Sequence, residues 1–168
     1  LPVETSFTQA LAKTKMLGCH TLMLGYAPDE APALEWDCAH FEDDVLGFGA
    51  VNSGKPGRGG ELAFVLQTKH DWSQAHIEDD AEAVGATMKA RFEALTGSKT
   101  FTSSSAASGY DRVHRWRYAS AQVLAATPEQ PYLLDRDQGL SAIGDWCSGS
   151  KVEDAFLSGA ALAASLRS

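Results

Sequence analysis

The chain has 168 residues, 44% of them hydrophobic, so a single domain can bury a sizeable core. Its 14 Lys and Arg against 22 Asp and Glu give a formal net charge of −8, which argues against nucleic acid or an anionic membrane surface as partner. No apolar stretch approaches the roughly 20 residues of a membrane span, and no secretion signal is recognisable, so we expect a cytoplasmic protein. Three widely separated cysteines, an odd number, predict neither a disulfide framework nor a zinc site: Cys19, Cys38 and Cys147.

The first half of the chain predicts a short helix followed by neighbouring strands. Three hydrophobic residues at helical spacing predict the helix within the first dozen residues: Phe7, Ala10 and Leu11. Strands are expected around residues 22–24, closed by a turn at 27–29, and over residues 45–51 and 61–68. A loop precedes the second strand, and a glycine-rich turn centred on Pro56 joins the last two. Strands without helices between them favour an antiparallel or mixed sheet.

The second half predicts one amphipathic helix, more strands and a final helix. Asp79 and Asp80 can cap the first of these helices, which ends at Thr96-Gly97. Its expected core stripe is Ala81, Val84, Met88, Phe92 and Leu95. Further strands are expected at 99–109 (an edge strand), 110–119, 132–134 and 140–143, with a connection over 120–131. The final helix is expected to present one packing face: Val152, Ala155, Phe156, Gly159, Leu162, Ala163 and Leu166.

The tail of the chain carries the most informative pattern, in which the strand 140–143 runs through a polar turn, residues 144–150, into the final helix. Glycines in the turn remove side-chain bulk, and the first N–H groups of a helix lack partners within the helix. The turn can therefore hold a large planar ligand close to the main chain, while Asp145 accepts hydrogen bonds from sugar hydroxyls. By itself the pattern is equally typical of a strand-to-helix turn with a capping Asp.

The turn and the residues that follow it resemble a segment of a known protein family. Gly144-Asp145-Trp146 followed by residues 152–159 resembles the C-terminal flavin-binding segment of the FAD-dependent amine-oxidase superfamily, and in particular its renalase-like branch of NAD(P)/FAD-dependent oxidoreductases. Three further stretches are similar to that branch in the same order: residues 19–26, 52–58 and 114–118. The resemblance covers the chain from about Met16 to Leu166.

One hallmark of that family is not found in this sequence. Its members open with a strand, a Gly-x-Gly-x-x-Gly turn and a helix that cradles the FAD pyrophosphate. The nearest text here, residues 47–54, has the wrong final spacing and lies inside an apolar run. Together with a first residue that is Leu, this predicts a C-terminal fragment or one half of a split flavoprotein. In that case the longer parent protein, from which this chain comes, binds FAD. The isolated chain is expected to be inactive, and its partner is the N-terminal FAD-binding portion of the parent.

The resemblance implies an α+β fold in two parts. Residues 1–131 would form a substrate-binding-type domain, an antiparallel or mixed sheet with packing helices, and residues 132–168 the C-terminal strand and helix of a Rossmann-like FAD-binding domain. The parent would take a hydride from a reduced organic substrate similar to a dihydronicotinamide dinucleotide and reduce oxygen. The alternatives are an amine oxidase of the same superfamily, or a non-catalytic fragment or interaction module without cofactor.

The same resemblance assigns the cofactor contacts. They are Gly144, Asp145, Trp146, Val152, Glu153, Asp154 and Ala155, with Asp145 accepting from the ribityl chain and the helical N–H groups facing the pyrimidine edge of the flavin. Family members commonly have Gly where this chain has Asp154. That carboxylate either turns to solvent or weakens flavin binding.

A cationic loop and an aromatic strand are the expected substrate contacts: Asn52, Lys55, Arg58, Trp116 and Tyr118. In a chain of net charge −8, cations in this loop and along residues 112–117 suit a small anionic substrate. The alternatives are a solvated hairpin turn for the loop and ordinary core positions for the two aromatic residues. Strand alternation places Arg115 and Arg117 on one side, and His114, Trp116 and Tyr118 on the other.

No catalytic residue is assigned, because a flavin performs the hydride transfer itself. His20, in an apolar strand, is expected to be a core residue. The spacing of His70 and His76 does not suit a metal pair, so no metal is expected. An uncovered apolar face on the final helix and an unpaired strand edge predict self-association, in the form of a homodimer or a larger species.

Overall fold

The computed structural model describes residues 4–26, 34–58, 62–97, 110–122 and 131–167. The elements in these ranges are α1 (Thr8–Lys13), β1 (Lys15–Tyr26), β2 (Cys38–His40), β3 (Leu46–Val51), β4 (Leu62–Thr68), α2 (His70–Ala75), α3 (Ala81–Thr96), β5 (Tyr110–Gln122), β6 (Leu133–Asp135), β7 (Leu140–Ala142) and α4 (Val152–Ser165). The fold class is α+β, as expected. The turn predicted at 27–29, the edge strand at 99–109 and most of the connection at 120–131 lie outside the described residues.

The chain divides into two compact units. One comprises Gly18–Arg117, and the other combines Leu1–Leu17 with Tyr118–Ser168. We call them the sheet unit and the C-terminal unit. The boundary expected between residues 131 and 132 separates segments that belong to two different domains of the parent protein. It does not refer to these compact units, and it remains a prediction.

A five-stranded sheet with the order β2-β3-β4-β1-β5 organises the sheet unit. The pairs β2–β3, β3–β4 and β4–β1 are antiparallel, with Thr21 opposite Gln67 and Gly25 opposite Ala63. The antiparallel arrangement agrees with the expectation from strands that follow each other without helices. A register shift between Leu46 and Phe48 marks a bulge in β3, which bends the strand and increases its twist.

The hydrophobic core lies on one face of this sheet, against α2 and α3. Alternate residues of β1 and β4 meet the apolar stripe of α3, giving a buried cluster of Leu22, Leu24, Tyr26, Val45, Leu46, Phe64, Leu66, Val84, Met88 and Phe92. Asp80 caps α3 by accepting from the N–H groups of Glu82 and Ala83, and Gly97 ends the helix in the left-handed conformation. The expected stripe is confirmed at Val84, Met88 and Phe92. It is wrong at Ala81 and Leu95, which are exposed because the first and last turns of α3 extend beyond the buried cluster.

A buried carboxylate joins the start of β3 to α3. Asp43 accepts from the N–H groups of Val45 and Leu46 at 2.9 and 2.8 Å, and from Nε of Arg91 at 2.8 Å. Burial alone would raise the pKa of Asp43, but the guanidinium and the two N–H groups outweigh it and hold the pKa at about 2. The end of the expected loop, at residues 43–46, is thus a structured turn, and the described part of the loop contains the short strand β2, which was not predicted.

The C-terminal unit contains α1, the hairpin of β6 and β7, and α4. The side chain of Asp135 accepts from the N–H of Ser6 at 2.8 Å and from the N–H of Gln138 at 3.0 Å, so it ties the segment before α1 to the hairpin turn. These N–H groups, that of Ser6 foremost, lower the pKa of Asp135.

The expected packing face of α4 is only partly correct. Ser158 and Leu162 are buried, whereas Val152, Phe156 and Leu166 are exposed. The side chain of Ser158 is buried because its hydroxyl accepts from the N–H of Gly144 at 3.1 Å, which draws that side of the helix toward the preceding turn. The face that α4 buries within its own unit therefore combines this hydrogen bond with the apolar side chain of Leu162.

Candidate functional site

The turn between β7 and α4 is the first candidate site. Asp145–Cys147 form a 3-10 turn that packs against α4. The carbonyl of Asp145 accepts from the N–H groups of Ser148 and Gly149 at 3.1 and 2.9 Å, so the backbone folds tightly back on itself. The Asp145 side chain is half-buried and has no hydrogen-bond partner among the described residues, which leaves both carboxylate oxygens available to a ligand.

The N-terminus of α4 offers fewer donors than a bare helix end. The N–H groups of Asp154 and Ala155 donate to the carbonyl of Lys151 at 3.0 and 3.3 Å. Those of Val152 and Glu153 have no partner within the described ranges. The first helical turn, with its positive dipole end, therefore presents two free N–H groups and suits a group that carries negative charge.

Asp154 does not point into solvent. Its Oδ2 accepts from the N–H of Lys151 at 2.9 Å, which caps the helix, and its side chain lies directly against Gly149. Trp146 covers Gly144 in the same way. Both glycines that the sequence analysis expected to admit a ligand thus make room for side chains of their own turn.

Cys147 lies at the end of the 3-10 turn and is buried. Burial raises the pKa of its thiol, which keeps the group protonated and unreactive.

The cationic loop after β3 is the second candidate. Asn52–Gly54 form a 3-10 turn, and the guanidinium of Arg58 donates to Oδ1 of Asn52. Lys55 is exposed, and its carbonyl accepts from the N–H of Arg58 at 3.1 Å. The structure therefore brings together Asn52, Lys55 and Arg58 in one loop. No carboxylate pairs with either cation among the described residues, so both charges remain available to an anion.

Strand β5 carries the aromatic candidates. Trp116 and Tyr118 are exposed, at 50% and 76%, so neither is a core residue. The rings of His114 and Trp116 lie edge to face with centroids 4.2 Å apart. His114 was expected on this face but was not among the predicted substrate contacts. Its spacing of two residues from Trp116 indicates that the two side chains lie on the same face of the strand.

The other face of β5 is less cationic than its sequence suggests. Arg117 binds Glu78 in a two-point ion pair, and Arg115 donates to the carbonyl of Ile77 at 2.7 Å. The hydrogen bond from Arg117 lowers the pKa of the exposed Glu78. This pairing removes Arg115 and Arg117 from the anion-binding surface expected along residues 112–117.

A scan against models of known protein families found no match to this chain. None of the helices in the described ranges combines the length and apolar character needed to span a lipid bilayer. Within those ranges, no three His, Cys, Asp or Glu side chains lie close enough together to hold a metal ion.

Proposed function

We propose that this chain supplies the substrate-side sheet and the flavin-contacting C-terminal turn of a FAD-dependent oxidoreductase similar to renalase. The parent takes a hydride from a reduced substrate of the dihydronicotinamide dinucleotide type. One observation carries the proposal. A carboxylate, Asp145, and two N–H groups, at Val152 and Glu153, have no partner among the described residues and occur in the same turn-helix segment, the one whose sequence resembles the flavin-binding segment of that family.

The roles of the residues follow from their chemistry. A bound flavin would supply hydride transfer from the substrate and electron transfer to oxygen. Asp145 would accept from hydroxyl groups of the ribityl chain. The N–H groups of Val152 and Glu153 would donate to the pyrimidine edge, where negative charge accumulates on reduction, and the helix dipole would add to that stabilisation. Phosphate contacts come from a dinucleotide-binding portion, the partner of this chain.

A non-catalytic interaction module is the second candidate, and one observation favours it. Trp146 and Asp154 already fill the space beside Gly144 and Gly149, so the turn is complete without a ligand. A chain that has lost its cofactor retains such a turn as a purely structural element.

Flavin retention separates these candidates. The chain alone is expected to be colourless after desalting, because its sequence has no Gly-x-Gly-x-x-Gly turn for the pyrophosphate. Produced together with a dinucleotide-binding portion, it should retain flavin, and Asp145→Ala should lower the affinity at least about tenfold, since a charge-assisted hydrogen bond is worth about 1.5–3 kcal/mol. Ser148→Ala, an exposed change in the same turn, is the matched control.

Two results would contradict the proposal. A yellow preparation of the chain alone would overturn its assignment as a fragment. Unchanged flavin affinity in Asp145→Ala would remove the cofactor role of the turn and leave the interaction module as the better candidate.

The substrate class rests on the cationic loop. If Lys55 and Arg58 bind phosphates, Lys55→Ala with Arg58→Ala should reduce turnover of dihydronicotinamide dinucleotides at least about tenfold, and more strongly at low salt. A simple amine has no phosphate, so its turnover should be unchanged or slightly higher. Equal loss for both substrates would indicate a structural loop, and loss confined to amines would favour the amine-oxidase alternative.

A further inference from the structure

The exposed side of α4 carries a continuous apolar stripe. Five positions follow each other at alternating spacings of four and three residues: Val152, Phe156, Gly159, Ala163 and Leu166. Such spacing places side chains in one line along a helix, as in the seam of a coiled coil. Three of them are large and strongly exposed, with Val152 at 91%, Phe156 at 73% and Leu166 at 59%.

The contacts that α4 makes within its own unit use a different side of the helix, where Ser158 and Leu162 are buried. Ile143, itself 47% exposed, extends the stripe, because its Cδ1 lies 3.4 Å from the position that a Cβ of Gly159 would occupy. The apolar surface therefore continues from the helix onto the end of the hairpin. Patches of roughly 300–600 Å² on monomeric proteins are often interaction sites.

We infer that two copies of this chain pair through the stripe, with their α4 helices antiparallel about a twofold axis at Gly159. The order of side-chain sizes along the stripe is the basis of this inference. In that register Phe156 lies opposite the partner's Ala163, and Val152 lies opposite the partner's Leu166. Each bulky ring thus meets a methyl group, so the surface is complementary to itself, as an isologous interface requires.

Charge agrees with a second copy as the occupant. Glu153 and Arg167 lie on the same flank of the stripe, and antiparallel pairing sets Glu153 beside the partner's Arg167. Interfaces near the lower size limit of about 1,000 Å² are typical of weak or transient association, and a seam of one helix from each copy belongs to that class. We therefore expect a dimer of micromolar affinity, which requires no flavin.

Sedimentation velocity of the chain alone, over a range of concentrations, measures this association. Phe156→Asp should make the protein monomeric at concentrations where the unmodified chain is dimeric. Leu157→Asp is the matched control, since Leu157 is also exposed but lies away from the stripe. Circular dichroism of both variants establishes that α4 is intact, as expected for changes at exposed positions.

A size swap tests the register itself. Phe156→Ala leaves two methyl groups facing each other, and Ala163→Phe sets two rings against each other, so each should weaken dimerisation at least about tenfold, as loss of a buried large side chain does. The combined variant restores a ring opposite a methyl group and should recover most of the affinity.

Three outcomes would overturn the inference. The first is a clean monomer at high micromolar concentration. The second is equal loss of association in Phe156→Asp and Leu157→Asp, and the third is a combined variant no better than the single ones. If the chain alone is monomeric but the dinucleotide-binding portion protects the stripe from hydrogen exchange, that portion is the occupant. Flavin retention is measured separately, so failure here leaves the proposed function untouched.

Discussion

Replacing the buried histidine of β1 by phenylalanine should stabilise this protein. His20 is 1% exposed, neither ring nitrogen has a hydrogen-bond partner among the described residues, and its ring meets Trp72 edge to face with centroids 6.0 Å apart. An unsatisfied buried polar group costs about 1–3 kcal/mol. His20→Phe keeps an aromatic ring against Trp72 and removes the orphaned nitrogens. We expect the free energy of unfolding to rise by about 1–2 kcal/mol at neutral pH.

The same substitution should remove a pH dependence. Burial lowers the pKa of His20, the nearby Arg115 and His76 lower it further, and Asp79 acts in the opposite direction. The folded-state pKa thus lies below the unfolded value of about 6.5. Stability that depends on neutral His20 is fully present above that value and decreases as the pH falls toward the folded-state pKa, by at most about 1.4 kcal/mol per pH unit.

Urea denaturation at a series of pH values, followed by circular dichroism, measures both effects. His20→Phe should be the more stable protein throughout, with its advantage growing below about pH 6.5. His40→Phe is the control, because His40 is exposed and its replacement removes no buried polar group. If His20→Phe were no more stable than the unmodified chain and lost stability in acid to the same extent, the imidazole would have a partner, and the reasoning would fail.

Three further predictions use the same assay. Asp43→Asn should reduce the free energy of unfolding by about 2–3 kcal/mol, because it weakens the bond to Arg91. The unmodified chain should lose this contribution as the pH falls from about 4 through about 2. Asp44→Asn, at the exposed neighbouring position, is the control and should have little effect. Asp80→Ala should cost about 1 kcal/mol by removing the cap of α3, with Asp80→Asn close to neutral. Asp154→Gly should lower the free energy of unfolding by about 1 kcal/mol, because it removes the cap at Lys151. Hydrogen exchange should show faster opening of the first turn of α4. Unchanged exchange would mean that the cap does not hold this turn.

Most of the elements were predictable because their signals are local. The stripe of α3 with Asp80 before it and Gly97 after it marks a helix and both of its ends. The alternation along residues 110–118 marks a strand with two unlike faces. By contrast, β2 has only three residues, and α2 is a six-residue helix whose N-terminus has no side-chain cap. Such short elements depend on contacts that are distant in sequence, as where Nδ1 of His70 in α2 lies 2.8 Å from the carbonyl oxygen of Gly18.

The residues of the candidate site were selected from the sequence and its family resemblance, and their role stays a prediction. The selection comprised Asp145, the start of α4 and the cationic loop. It did not show that Asp154 caps its own helix, or that Glu78 neutralises Arg117. These pairings join side chains whose approach depends on the path of the backbone, and composition and spacing say nothing about that path.

By itself, the sequence determined the α+β class, the order of the main helices and strands, and the central part of the hydrophobic face of α3, because periodicity and capping act within a few residues along the chain. Only the tertiary structure decided which side of α4 is buried. The apolar pattern of that helix favours the line through Val152 and Phe156, yet the buried side is the one with Leu162 and Ser158, where the Ser158 hydroxyl accepts from the N–H of Gly144. Hydrophobic burial has no preferred direction, whereas a buried hydroxyl must meet one particular partner, and that geometric requirement sets the rotation of the helix.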